Sequence, residues 1–287
     1  MKSYSEELLD RQNPDGGWGY GKGGTSWTEP TCYALLALAS GEESAPEARQ
    51  HGLQWLMAGQ RSDGGLAPRP GVDESTWVTA LSLLMPADLA GGPDRQRAAN
   101  WLLAQSGRES GFVYRLRLRL LGVRLDPTEQ FDGWPWYPQT AAWVAPTALT
   151  LLALQKFNRS RSDAQTQKRL DGATGFLLAR RCRDGGWNHG STQALGYDSD
   201  SYPETTGVAL LALHGSKAPE IGNAIGVAER HLRESHSLEA TSWLTLGLLA
   251  HGQSPSEVSV MPHQGTVAIS LAAIAAAARQ GRNLFVS

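Results

Sequence analysis

Four acids stand two residues ahead of a threonine at the head of an apolar run: Glu29-Pro-Thr31, Glu74-Ser-Thr76, Glu204-Thr-Thr206 and Glu239-Ala-Thr241. Ala145-Pro-Thr147 keeps the threonine without the acid, and Gln264-Gly-Thr266 is a candidate sixth copy. A carboxylate at a helix start meets free backbone N–H groups and the positive end of the helix dipole, and a nearby threonine helps to satisfy those groups. Capping alone is therefore one reading of the pattern. The other is chemical. Carboxylates held close together and away from water raise one another's pKa. One of them can then keep a proton and donate it to an alkene or epoxide, or the group can repel anions or hold a cation.

Asp198 and Asp200 form a second acidic pair, just ahead of the run that opens at Glu204. In an extended segment residues two apart face the same way. One protonated acid beside an ionised partner is what general acid catalysis needs, so Asp198, Asp200 and Glu204 are the candidate proton donors. A polar loop is the plainer reading, because Asp and Ser favour turns. Aromatic residues accompany the acids. Tyr33, Trp77, Trp143, Tyr202 and Trp243 stand at or near the same helix starts, and Trp136 and Tyr137 lie in the approach to one. Ring faces turned into a cavity can steady a carbocation or line a lipid pocket; turned into a core they simply pack. The candidate ligand-binding set is Glu29, Glu74, Trp77, Trp136, Tyr137, Trp143, Tyr202, Glu239 and Trp243. His189 follows a glycine turn and can reach the same mouth. No His-Glu-x-x-His or Cys-x-x-Cys spacing occurs, so neither a metal nor a cofactor is expected.

Helices must position these residues. Glycine is 32 of 287 residues and tryptophan 10, while Ala and Leu dominate the long apolar runs, so the chain reads as Ala/Leu helices joined by glycine turns. The turns repeat: Gln12-Asn-Pro-Asp-Gly-Gly-Trp18, Gln60-Arg-Ser-Asp-Gly-Gly-Leu66, Gln130-Phe-Asp-Gly-Trp134 and Arg181-Cys-Arg-Asp-Gly-Gly-Trp187. Amphipathic helices are expected near 4–11, 46–59, 94–105, 164–180 and 218–233. Helices apolar on nearly every side, which must be buried all round, are expected near 29–40, 74–85, 140–157, 204–214 and 239–250. A last helix, near 265–279, is outer by chain order and inner by composition. Hairpins of this kind close into two concentric layers. The expected fold is all-α: an alpha/alpha toroid of 10–12 helices, one domain over 1–287, with the turn tryptophans wedged between outer helices.

An insertion at about 107–139 interrupts the third repeat and reads as a lid. Within it Arg115-Leu-Arg-Leu-Arg-Leu-Leu-Gly-Val-Arg-Leu125 begins by alternating basic and apolar residues, which predicts a strand or extended arm. Its arginine face suits an anionic headgroup, a diphosphate or an acidic partner; its other face suits packing on the toroid.

A net charge of -2 gives no footing for nucleic acid. Cys32 and Cys182 cannot form a disulfide framework. The first residues lack the apolar stretch of a secretory signal, and no run is long enough to be an integral membrane segment. A cytoplasmic protein is the expectation.

The segment from Gly172 to Trp187 resembles the Gln-Trp repeat of squalene and hopene cyclases, with Arg181 in place of the glutamine. Tyr202-Pro-Glu-Thr-Thr206, Ser75-Thr-Trp77 and Ala240-Thr-Ser-Trp243 look like the inner-helix starts of the same enzymes. The resemblance runs over nearly the whole chain. It implies the toroid shared by terpenoid cyclases, protein prenyltransferase beta subunits and complement-like thioester domains. Tyr197-Asp198-Ser-Asp200-Ser201 is similar to the Asp-x-Asp-Asp acid motif of class II cyclases but lacks its last Asp. The prenyltransferase zinc set and the Gly-Cys-Gly-Glu-Gln thioester motif are absent. The resemblance therefore implies a cyclase-like or prenyltransferase-like protein with a central pocket for an apolar isoprenoid. A non-catalytic toroid that binds a lipid or a protein partner is the alternative.

Overall fold

The computed structural model describes residues 3–41, 45–86, 92–111, 116, 120–121, 131–159, 161–190, 193–194, 197–258 and 265–286. Among them are eleven α-helices. In chain order these are α1 (Tyr4–Leu9), α2 (Thr28–Ser40), α3 (Pro46–Ala58), α4 (Thr79–Leu84), α5 (Arg95–Ala104), α6 (Val144–Asn158), α7 (Ala164–Ala179), α8 (Pro203–Ala212), α9 (Glu220–Glu234), α10 (Leu238–Ala250) and α11 (Thr266–Arg279). Two residue pairs, Gln193–Ala194 and Tyr197–Asp198, form a short antiparallel ribbon, β1–β2.

The helices form two layers, as their composition demands. α2, α4, α6, α8 and α10 are buried along nearly their whole length. Each packs on the next around a ring, and α11 closes the ring by packing on both α10 and α2. The composition of α11 thus outweighs its place in the chain: it is a sixth inner helix. α1, α3, α5, α7 and α9 lie outside and bury one face each. In α9 that face is Ile221, Ala224, Val227, Ala228 and Leu232. The architecture is an α/α toroid.

Two expectations need correction. The helix expected over 74–85 begins only at Thr79, because Ser75 and Thr76 are held by the preceding turn. The Ser75 hydroxyl donates to Asp63, and Thr76 N–H donates to Leu66 O at 2.9 Å. The chain then enters the helix through a tight turn in which Thr79 N–H donates to Thr76 O and Ala80 N–H to Trp77 O. Of the alternating Arg/Leu stretch only Leu116, Leu120 and Leu121 lie among the described residues. Leu116 and Leu120 are helical rather than extended, and all three are exposed rather than packed on the toroid. Leu is a good helix former, and a neighbouring alternation does not override that preference at these positions.

Candidate active site at the mouth of the toroid

Each glycine turn is a joint between an outer and an inner helix. Trp18, Trp134 and Trp187 are fully buried. Their indole N–H groups donate to Leu8 O, Leu102 O and Leu177 O at 2.8, 2.8 and 2.7 Å, so each wedge satisfies a carbonyl near the end of an outer helix. The backbone N–H of the same position donates to a threonine of the following inner helix: Trp18 to Thr31, Leu66 to Thr79, Trp134 to Thr147 and Trp187 to Thr206. The glutamine that precedes the turn reaches onward. Gln12 donates to Ala48 O and Gln60 to Asp94 O at the start of the next outer helix. Arg181, which stands in the glutamine's place, pairs with Glu220 instead.

These joints fix a register. Four inner helices, α2, α4, α6 and α8, are pinned by their threonines, so the residue two before each falls at the same height. Those residues are Glu29, Trp77, Ala145, Glu204 and, with Thr241 as the reference, Glu239. All five line one central cavity of about 260 Å³. The residues two after the threonines, Tyr33, Leu149, Val208 and Trp243, form a second layer of the same cavity. The two layers are four residues apart and so share one helix face. Trp136, Thr205, Val267 and His189 complete the wall.

The register also explains Glu74. The second-repeat threonine that holds the joint is Thr79, not Thr76, so the slot occupied by Glu29 in the first repeat is filled by Trp77. Glu74 is exposed and off the cavity. The structure thus brings Glu29, Glu204, Glu239, Trp77, Trp136 and Trp243 together. Around the inner ring the acids fall on one side, on α2, α8 and α10. Trp77 and Ala145 fall on the other, with the Trp136 indole edge-on to Trp77 at 4.8 Å.

Glu29 is a strongly perturbed acid. Burial pushes its carboxyl up from an ordinary 4.5 to about 7; Glu239 adds to the rise, and a hydrogen bond donated by the Tyr20 hydroxyl to Oε2 opposes it. Tyr20 in turn is pushed well above its usual range by burial and by Glu29. Tyr20 comes from the loop ahead of α2 and no repeat signal marks it, which is why sequence reasoning missed it. Deeper in, Trp243 is held edge-on by Tyr33 at 6.0 Å.

Tyr137, Trp143 and Tyr202 do not line the cavity. They are partly exposed at the mouth, where Trp143 and Tyr202 flank His189 with ring centroids 6.3 and 5.2 Å away. Asp198 and Asp200 are also exposed and off the cavity. Asp198 sits on the β1–β2 ribbon and pairs with Arg183 at 3.1 Å. Among the described residues no three His, Cys, Asp or Glu side chains converge on a metal position.

A serine, a histidine and an aspartate do meet elsewhere. Ser201 Oγ donates to Asp184 at 2.7 Å and lies 2.7 Å from His231 Nε2. The aspartate bonds the serine rather than the imidazole, the reverse of a nucleophilic triad. The same Asp–Ser pair recurs as Asp15–Ser26 and Asp63–Ser75, and Asp15 accepts from the Trp55 indole as Asp184 accepts from Arg230. It is part of the joint.

Fold and sequence together make this chain terpenoid cyclase-like. No family model matches it. It is 28% identical over 235 residues to a drimenyl diphosphate synthase of Streptomyces showdoensis, covering 80% of this chain and 39% of that protein. The chain therefore spans about two fifths of that relative's length. The type II terpene cyclase MstE from Scytonema aligns over 98% of this chain and 77% of its own, with 18% identity and a TM-score of 0.56. A GH8 endo-beta-1,4-glucanase from an Achatina fulica gut metagenomic library aligns over 98% of both chains at 13% identity and a TM-score of 0.65. The solved structures share the toroid, and the sequence likeness is to a drimenyl diphosphate synthase. Among the described residues no helix is long and apolar enough to cross a membrane.

Proposed function

We propose that the chain binds an apolar isoprenoid in the central cavity and initiates its cyclisation with a proton from Glu29. The observation that carries this reading is the position of Glu29: a carboxyl with its pKa raised to about 7, in the wall of a cavity that it shares with Glu204, Glu239 and His189 and whose opposite side, at Trp77, Trp136 and Ala145, is indole and aliphatic. Tyr20 occupies Oε2, which leaves Oε1 to carry the proton. Glu239 favours the protonated form of Glu29 by its negative charge. Protonation of an alkene or epoxide leaves a carbocation, which the faces of Trp77, Trp136 and Trp243 can attract; after ring closure it is discharged by loss of a proton to water, which gives a neutral isomer of the substrate. The one-sided distribution of acids orients the chain, with the reacting end toward α2, α8 and α10 and the hydrocarbon against Trp77 and Ala145. Three carboxylates also disfavour an anionic group inside, so a diphosphate, if the substrate bears one, stays outside the cavity. Action as one toroid over 1–287 in the cytoplasm belongs to the same reading.

The exposure of Asp198 and its pairing with Arg183 favour a second reading, in which the toroid holds an isoprenoid or a protein partner without turning anything over. Native mass spectrometry of protein expressed with a polyprenyl supply shows whether a lipid is retained, and NMR of the lipid extracted from that protein separates the two. The cyclase reading expects a bound isoprenoid with the mass of its precursor but a ring-closed structure. Glu29→Gln should lower its formation about 10²–10⁴-fold while leaving binding in place. Asp198→Asn should have no effect. Unaltered isoprenoid in both wild type and Glu29→Gln leaves the binding reading; no retained lipid ends both isoprenoid readings.

A further inference from the structure

The floor of the cavity is not made by the inner helices alone. Trp243 lies in its lower layer, and behind Trp243 stands Phe285, with ring centroids 5.6 Å apart and Phe285 only 1% exposed. Phe285 belongs to residues 282–286, which follow α11 and cross the end of the toroid opposite the mouth. Two cations from the last turn of α6 and its cap hold this segment. Lys156 Nζ donates to Leu84 O at the end of α4 and to Leu284 O, at 2.9 and 2.6 Å. Arg159 donates to Val286 O at 3.0 Å. The Asn283 side chain accepts from Phe285 N–H at 3.2 Å and Asn283 O from Val286 N–H, so the segment is folded on itself as a turn. Trp243 is only the sixth residue of a 13-residue helix. Contact with it means that Phe285 reaches well up inside the ring from the far end.

We propose that Phe285 is a positioning residue that sets the depth of the cavity and thereby the length of apolar chain it accepts. Trp243 is clasped between Tyr33 and Phe285, and with Phe285 in place its indole cannot sink. The cavity then stays at about 260 Å³, below the roughly 300–1,000 Å³ usual for small-molecule sites, so that a short chain fills it. Shortening Phe285 lets Trp243 move toward the far end and opens room beneath the ligand. Replacing it by Trp presses Trp243 upward.

The proposal rests on the cavity being the isoprenoid site, and the test separates the two. Binding of geraniol, farnesol and geranylgeraniol, each longer than the last by one isoprene unit, is measured for wild type, Phe285→Ala, Phe285→Leu and Phe285→Trp. Wild type should favour the shorter alcohols. Phe285→Ala should raise geranylgeraniol binding relative to geraniol about tenfold, the effect of burying roughly two more methylenes. Phe285→Leu should do so less, and Phe285→Trp should shift the preference the other way. Simple destabilisation weakens all three alcohols together and leaves their ratio unchanged. An unchanged ratio in the folded variants overturns the role of Phe285 while leaving the site intact; should Phe285→Ala not fold, the Leu and Trp variants decide. Failure of every alcohol to bind wild type overturns the site and this proposal with it.

Discussion

The pKa of Glu29 makes the stability of the protein depend on pH in a particular direction. In the folded chain the carboxyl holds its proton up to about 7, against an ordinary 4.5. The folded state therefore binds more protons than the unfolded state between those values, and stability falls as pH rises through the window. The contribution is fully present below about 4.5 and is lost once pH passes about 7. A rise of that size corresponds to about 3 kcal/mol, with a slope of up to about 1.4 kcal/mol per pH unit. Glu29→Gln resembles the protonated acid in shape and still accepts from Tyr20, but it does not titrate. It should match wild type near pH 4 and exceed it by about 3 kcal/mol near pH 8. Urea denaturation of both proteins at intervals from pH 4 to 8 gives the difference directly, and groups common to both cancel. Parallel curves would refute the burial argument, and with it the reason for choosing Glu29 as the proton donor.

Two further outcomes follow from the joints. Gly185 sits at φ +101, and a Cβ there would lie 2.1 Å from the Asn223 side chain that donates to Asp184 O. Gly185→Ala should cost about 1–3 kcal/mol, and more than Gly215→Ala, where φ is +77 and the space is open; thermal melts of the two variants compare them. His231 is held below its ordinary 6.5 chiefly by burial and then by Arg230. Its contribution is present above about pH 6.5 and lost as pH falls through its folded pKa, the opposite sign to Glu29. His231→Gln should therefore flatten the acid side of the wild-type stability curve, and an acid limb as steep as that of wild type would contradict this.

Much of the scaffold was legible because each helix announces itself locally. Ala/Leu runs without a polar face had to be inner helices, and Ala45-Pro-Glu-Ala-Arg-type starts with one apolar stripe had to be outer ones. The boundaries of α3, α7 and α10 fall within one or two residues of expectation. α11 was ambiguous because its neighbours across the closure, α2 and α10, are far away in sequence. The cavity wall was legible where the acid and the repeat coincided, as at Glu29, Glu204 and Glu239. Asp198 and Asp200 illustrate the reverse. Their spacing suits an acid pair, but the partner that decides the fate of Asp198, Arg183, is set by how the ribbon folds over the turn.

The Glu-x-Thr pattern is better understood as a slot than as a motif. The threonine serves the joint, since its hydroxyl accepts from the backbone of the turn, and this holds whether or not an acid precedes it. In the four jointed repeats the position two before it varies as Glu29, Trp77, Ala145 and Glu204, all facing the cavity, and Glu239 stands likewise two before Thr241. A pattern search keyed on the acid found Glu74-Ser-Thr76 and so misaligned the second repeat by three residues. A search keyed on the joint aligns Thr79 and delivers Trp77. The separation has a functional consequence. Because the joint is made by the threonine and not by the residue two before it, charge and aromatic character around the cavity differ from repeat to repeat while the joint stays the same. The toroid by itself does not name a function, so the proposed role of this chain rests on the slot residues rather than on its repeats.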